Sequence, residues 1–187
     1  MKIIKDSEFI KGEAPMTKEE IRTITLSKLE ISDNDNILDI GGGTGSIAIS
    51  LSKNTKGIVT TIEKDENACN LINKNKEKFN CENLKIIKGL APNDLNNKKI
   101  NKAFIGGTYG KMKEIFDYLD KFLLKEGIVV LNFITIENTY KALDQLKNRR
   151  YSDLDISQIT ISKGKFIKDI TMMKTNNTIT IIKAKKG

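Results

Sequence analysis

The 187-residue sequence has no histidine, only two cysteines and two prolines, and no long apolar run. Without histidine, any proton transfer must use Glu, Asp, Lys, Tyr or water. Cys69 and Cys81 form no CxxC pair, so we predict reduced thiols and no metal site. No apolar run reaches the roughly 18 residues of a membrane span, and the N-terminus lacks a signal-peptide core. A cytoplasmic protein without a membrane partner is therefore expected.

The net charge of +8 comes almost entirely from lysine, because Arg22, Arg149 and Arg150 are the only arginines. The lysines are scattered, which favours a solvated basic surface. A binding field for an acidic partner, either nucleic acid or a polycarboxylate, is the alternative. The scarcity of arginine and of aromatic residues (6%) counts against recognition of single-stranded RNA by stacking. We therefore expect no nucleic-acid partner.

The length fits a single domain, and strand patterns alternate with helical patterns along most of the chain. We divide it into an extended N-terminal arm (1–16), a core (17–150) and a β-rich C-terminal part (151–187). Thr17 and Glu20 fit a capping box at the start of the first helix. The alternation predicts a doubly wound α/β fold with a mostly parallel sheet and an antiparallel C-terminal addition.

Four glycines follow the first buried strand in the segment NILDIGGGTGSIAIS, residues 36–50. Ser46 stands where a dinucleotide motif would have its third glycine, and no lysine follows in P-loop register. Asp39 would repel a phosphate but suits an ammonium or sulfonium group. Glu63 lies about 20 residues beyond the loop, at the position where an acidic residue typically accepts hydrogen bonds from ribose hydroxyls. The pattern indicates S-adenosylmethionine, although a plain strand-to-helix turn remains the alternative.

These residues resemble the class I S-adenosylmethionine-dependent methyltransferases, whose fold is Rossmann-like with a seven-stranded sheet. The resemblance implies that Asp39 and the loop amides hold the methionine part of the cofactor and that Glu63 holds the ribose. Leu90 stands where an acidic residue would face the adenine region. The implied cofactor-binding residues are Thr17, Asp39, Gly41, Gly43, Thr44, Gly45, Ser46, Glu63, Leu90 and Ala91.

The methyl acceptor is indicated by other segments. The NPPY motif for exocyclic base nitrogens is missing, whereas FIGGTYG at 104–110 provides glycines for an open shelf that suits a broad flat substrate. A glycine-shaped turn without that role is the alternative. Together with GEAPMTKEEIR at 12–22 and DIGGGTGSIAIS at 39–50, this segment resembles the decarboxylating precorrin (cobalt-precorrin) C15-methyltransferases of cobalamin biosynthesis.

That closer resemblance implies a tetrapyrrole substrate, methylation at C15 with loss of carbon dioxide from the C12 acetate side chain, and a homotetramer. Tyr109 and Glu13 are candidates for proton transfer, although a structural role is open for both. Lys18 and Lys111 would flank the site and contact substrate carboxylates. The implied substrate-binding residues are Pro15, Met16, Lys18, Gly106, Gly107 and Thr108.

Two other functions share the fold or the loop. An RNA or protein methyltransferase would agree with the basic charge and would show a concentrated basic face with steep salt dependence of binding. A non-enzymatic cofactor-binding protein would keep the Gly41–Gly45 loop but lack turnover.

Overall fold

Seven of the nine strands form one sheet, in the order β3-β2-β1-β4-β5-β9-β6, and the other two form a separate hairpin. The computed structural model describes residues 1–187. The helices are α1 (Glu19–Leu29), α2 (Ser46–Ser52), α3 (Glu66–Lys78), α4 (Met112–Phe122) and α5 (Ile136–Lys147). The strands are β1 (Ile37–Ile40), β2 (Val59–Glu63), β3 (Leu84–Lys88), β4 (Ile100–Ile105), β5 (Leu123–Phe133), β6 (Tyr151–Ile159), β7 (Ser162–Ile167), β8 (Ile170–Thr175) and β9 (Ile179–Lys186).

The parallel half of the sheet consists of β3, β2, β1, β4 and β5. β1 lies at its centre and is buried at all four positions, as expected for a strand covered on both faces. Parallel strands end at the same edge, so the loops after β1, β2, β4 and β5 meet there. The predicted doubly wound fold is confirmed.

The antiparallel addition is built by β9, which pairs antiparallel with both β5 and β6. The last strand in chain order therefore lies inside the sheet, and β6 forms the edge. This arrangement agrees with the predicted β-rich C-terminal addition.

Two apolar clusters cover the two faces of the sheet. α4 and α5 pack on one face, where Phe116 and Leu146 are completely buried. α1, α2 and α3 pack on the other, with Leu29, Ile49 and Ile72 fully buried. The longest of these helices, α3, has 13 residues, and none of them could cross a membrane. Cys69 and Cys81 are buried and unpaired.

The N-terminal arm packs against the body of the protein through the buried side chain of Arg22. Its guanidinium donates to Asp6 Oδ1 at 3.0 Å and to the carbonyl of Thr17 at 2.6 Å, and it lies 4.9 Å from the centre of the Phe9 ring. The arm is extended except for a 3-10 turn at Asp6–Glu8. Arg22 thus holds the arm against α1.

The predicted capping box of Thr17 and Glu20 is wrong. The N-cap residue of α1 is Lys18, and no side chain caps this helix. Glu20 instead pairs with Lys163 of β7 at 2.6 Å, and the Thr17 carbonyl accepts from Arg22. A distant partner therefore takes the Glu20 carboxylate that the local motif required.

Candidate active site

The glycine loop after β1 brings the backbone close to two other segments. Gly41 has φ +86°, and a Cβ there would lie 2.9 Å from the backbone nitrogen of Gly107. Gly43 has φ +54°, and a Cβ there would lie 2.6 Å from the carbonyl oxygen of Pro15. Both positions therefore need glycine for its backbone conformation and for space. The loop is packed between the N-terminal arm and the turn after β4.

The arm is joined to the loop by hydrogen bonds as well. The amide of Thr44 donates to the carbonyl of Pro15 at 3.1 Å. The buried side chain of Asn75, on α3, donates to the carbonyls of Ile10 and Thr44, and its oxygen accepts from the Ile10 amide. Residues 15–18 therefore form a fixed wall of the site.

Glu63 ends β2, and its carboxylate orders the backbone around the loop. One oxygen accepts from the amide of Gly43 and the other from the amide of Asp65, both at 3.0 Å. Asp65 in turn caps α3, because its side chain accepts from the amide of Ala68. The Glu63 carboxylate also borders the cavity, so it presents negative charge next to the loop.

Asp39 lies beneath the loop and is fully buried. One carboxylate oxygen accepts from the Thr61 hydroxyl at 2.8 Å, while the other, Oδ1, has no partner. Burial raises the pKa of Asp39 to about 7; the Thr61 hydrogen bond opposes this effect and the Glu63 charge adds to it. The structure shows this carboxylate under the loop rather than in the wall of the cavity.

A cavity of about 560 Å³ opens at the carboxyl edge of the sheet. This volume lies within the usual range of ligand sites. Of its 23 lining residues, only Lys18 and Glu63 are charged. Eleven sequence-predicted residues line it: Pro15, Met16, Thr17, Lys18, Gly41, Gly43, Ser46, Glu63, Gly106, Gly107 and Tyr109.

A smaller pocket adjoins the cavity and shares Gly41, Gly107 and Tyr109 with it. Leu90, Ala91 and Thr108, all predicted from the sequence, line this pocket. The pocket therefore extends the site towards the loop after β3.

Tyr109 lies at the junction of the two spaces. Its ring stacks under Lys64, whose Nζ is 3.7 Å from the ring centre. Partial burial raises the pKa of the Tyr109 phenol, and the charges of Glu63 and Asp65 add to the shift. At neutral pH the hydroxyl is thus a hydrogen-bond donor and not a base.

Five predicted residues do not line either space. Asp39 and Thr44 are buried behind the loop, and Gly45 faces Ile72 of α3. Glu13 is exposed on the arm. Lys111 precedes α4, and its Nζ lies 3.4 Å from the side-chain oxygen of Asn93. A direct role for Glu13 or Lys111 therefore has no support from this geometry.

The sequence analysis missed one side of the cavity, which β5, α5 and the β8–β9 loop supply. Its polar members are Asn132, Asn138, Asn176 and Asn177. An asparagine near the end of a buried strand, in LNF at 131–133, was a usable signal, because parallel strands end at the ligand edge. Asn176 and Asn177 gave no such signal, since their segment reads only as a turn.

The site fits S-adenosylmethionine. Glycine backbone forms one wall, and the Glu63 carboxylate is available for ribose hydroxyls and a cationic group. Lys18 is the only cation that lines the larger cavity and could hold a phosphate there. The seven-stranded sheet with an inserted antiparallel strand is that of the class I enzymes. Fold and site together define an S-adenosylmethionine-dependent methyltransferase.

Comparison with known proteins identifies the family. The model of the precorrin methyltransferase domain matches residues 8–186, so the chain belongs to that family, as predicted. A probable cobalt-precorrin-6B C(15)-methyltransferase (decarboxylating) of Saccharolobus solfataricus is 42% identical over 179 residues, 93% of this chain and 90% of that protein.

Two solved structures are also similar over nearly the whole chain. A precorrin-6y C5,15-methyltransferase from Geobacter metallireducens has 32% identity and a TM-score of 0.92, covering 98% of this chain and 96% of that one. A precorrin 8w decarboxylase from Methanobacterium thermoautotrophicum has 27% identity and a TM-score of 0.91, covering 99% and 100%.

The buried charge of Asp39 predicts a pH-dependent cost in stability. The pKa of this group rises from its ordinary value of 3.8 to about 7 on folding, so the folded state binds the proton more tightly. The stability contributed by Asp39 therefore falls as the pH rises from about 4 to 7. Asp39→Asn removes the charge. The difference between the free energies of unfolding of the variant and of the wild type should therefore rise in favour of the variant by a few kcal/mol as the pH rises through this window. The conversion is about 1.4 kcal/mol per pKa unit.

Urea denaturation without cofactor between pH 4 and 8 measures this difference. A stability difference between variant and wild type that stays constant with pH would contradict the assignment of the titration to Asp39.

The two amide contacts of Glu63 predict that its charge is needed for cofactor binding. Glu63→Gln keeps the size of the side chain but replaces one acceptor oxygen with an NH₂ group that cannot accept from a backbone amide. Hydrogen bonds to charged groups contribute about 1.5–3 kcal/mol, so affinity for S-adenosylmethionine should fall at least about tenfold in calorimetry. Glu66→Gln is the control, since Glu66 is exposed and pairs with Lys88. Equal affinities of Glu63→Gln and wild type would refute the role.

Proposed function

We propose that the protein methylates C15 of a precorrin-6B-type tetrapyrrole, with or without cobalt, and removes the C12 acetate carboxyl group as carbon dioxide. The reaction is a step of cobalamin biosynthesis. The names of the relatives support this proposal, because they refer to cobalt-precorrin-6B, to C15 and to decarboxylation. We place the protein in the cytoplasm.

The observation that carries the proposal is that two kinds of surface open into one cavity. The glycine loop and Glu63 supply the cofactor end, and Gly106 and Gly107 supply an uncrowded shelf on the other side of the loop. A Cβ added to Gly107 would meet no atom within 4 Å, so the shelf has free space above it. A flat macrocycle on this shelf would lie next to the methyl donor, and such alignment is a major part of catalysis.

S-adenosylmethionine, when bound, supplies the methyl group as a sulfonium. The chain itself binds and orients the reactants. The loop amides and Glu63 hold the cofactor, Leu90 and Ala91 contact the adenine, and Pro15, Met16 and Thr108 contact the macrocycle. Tyr109 donates a hydrogen bond or a proton. Lys18, the only cation of the lining, takes one substrate carboxylate.

The hairpin of β7 and β8 supports a homo-oligomer, a tetramer by resemblance to the family. Every residue of both strands is exposed, and Phe166 and Met173 are 81% and 65% exposed. An isolated two-stranded hairpin is marginal in water, and exposed apolar patches mark interfaces. We infer that the hairpin packs against a second copy of the chain.

The assay for the activity uses the precorrin substrate, with and without cobalt, and methyl-labelled S-adenosylmethionine. Each ring should gain one labelled methyl group and lose one carbon dioxide. Gly107→Ala leaves the fold intact, because its Cβ meets no atom, but it fills part of the shelf. It should raise the KM for the tetrapyrrole severalfold and weaken cofactor binding much less. Methylation of RNA or protein with the tetrapyrrole untouched would overturn the proposal and favour the alternative function.

The hairpin interface predicts that polar substitutions dissociate the oligomer. Phe166→Ser combined with Met173→Ser should shift the protein to monomers in size-exclusion chromatography with light scattering, because the apolar area buried between copies is lost. Lys168→Ser, in the turn between β7 and β8, is the matched control and should keep the oligomer. A wild type that is monomeric, or a double variant of unchanged mass, would refute this interface.

A further inference from the structure

One wall of the cavity carries no charge. It consists of residues from β5, α5 and the segments next to them, together with the β8–β9 loop, and we refer to it as the uncharged wall: Asn132, Ile134, Asn138, Asn176 and Asn177. The chain has 32 basic and 24 acidic residues, yet the cavity lining includes only Lys18 and Glu63. Both of these lie on other segments. A substrate with many carboxylates therefore meets no cation on this side.

The side chain of Asn132 has a fixed orientation. The hydroxyl of Thr25 donates to the carbonyl of Ile21 at 2.8 Å, so its lone pairs are left to accept from Asn132 Nδ2, also at 2.8 Å. Asn132 Oδ1 is buried and has no hydrogen-bond partner, although the residue lines the cavity. The amide of Asn132 is thus held by Thr25 and adds no charge to the wall.

Asn132 also lies beside the glycine shelf. Leu131 pairs with Ile105 in the parallel register of β5 and β4, so the next residues, Asn132 and Gly106, are neighbours. A side chain of a macrocycle on the shelf would therefore reach the uncharged wall directly.

The chemistry of carbon dioxide loss favours such a wall. A lysine or arginine beside a carboxylate stabilises the reactant, because the full charge is on the carboxylate before the bond breaks. In the transition state this charge moves into the conjugated ring, so the ion pair weakens and the barrier rises. Carboxamides and an isoleucine carry no full charge, so they stabilise the reactant carboxylate less than a cation would, and the barrier to carbon dioxide loss stays lower.

We propose that the uncharged wall receives the carboxymethyl side chain that leaves as carbon dioxide; this inference rests on the proposed function. The bond between the methylene carbon and the carboxylate breaks, carbon dioxide departs, and the electron pair passes into the ring system. A proton from water then adds to the methylene carbon, so that a methyl group replaces the carboxymethyl group. The wall promotes the reaction because it provides no counter-ion that would stabilise the carboxylate of the reactant.

The test introduces a cation into the wall at two exposed positions that tolerate change, Ile134 and Asn177. Ile134→Lys is compared with Ile134→Met, and Asn177→Lys with Asn177→Gln, so that each charged variant has an uncharged partner of similar size. Tetrapyrrole binding is measured by absorbance titration, and carbon dioxide release by trapping of the labelled gas.

The lysine variants should bind the tetrapyrrole as tightly as the wild type or more tightly, while kcat for carbon dioxide release falls about tenfold or more. The kcat of each uncharged partner should fall much less than that of its lysine counterpart, because size alone has changed. This split between affinity and turnover distinguishes a charge effect from a packing defect, which would affect both members of a pair.

Two results would overturn the inference alone: lysine variants that release carbon dioxide at the wild-type rate, or equal losses in the charged and uncharged partners. A wild type that binds and converts no tetrapyrrole would instead refute the proposed function, and the inference with it.

Discussion

Two backbone amides, one from the glycine loop and one from the start of α3, donate to the same carboxylate, that of Glu63. This contact ties the loop after β1 to the end of β2 and to the helix that follows. It also limits the ligands that the site accepts, because a carboxylate held by two amides in a cavity with a single cation would repel a phosphate. The turn after β4 and the N-terminal arm are packed against the loop that Glu63 holds, so the geometry of the whole site depends on this contact.

Asp39 lowers the stability of the folded protein. Its carboxylate has one hydrogen-bond donor, Thr61, and one oxygen without a partner in a fully buried position. A structure selected for stability alone would place an apolar residue there, since unpaired buried charge is among the costliest features of a protein. The position of Asp39 directly under the ligand-binding loop is typical of strain that functional sites retain.

The sequence was sufficient for the doubly wound fold and for most of its strands and helices, because these depend on local patterns. Periodicity defines β1 and α3, and the motif from Asp39 to Gly45 is contiguous. The uncharged wall could not be predicted from local patterns, because Asn132 and Asn177 come together only through the insertion of β9 beside β5. The capping box failed in the same way, since the partner of Glu20 is Lys163, 143 residues further along the chain. A local motif competes with every distant group that the fold brings near.

The insertion of β9 between β5 and β6 has a consequence for synthesis on the ribosome. β5 emerges well before β9, so one edge of a long apolar strand is open until the last of the nine strands has been made. Until then β6 has no partner in the sheet, because β9 is its only neighbour. Any nascent chain that has emerged only as far as β5 or β6 would thus expose an unpaired strand edge, which favours aggregation until β9 is in place.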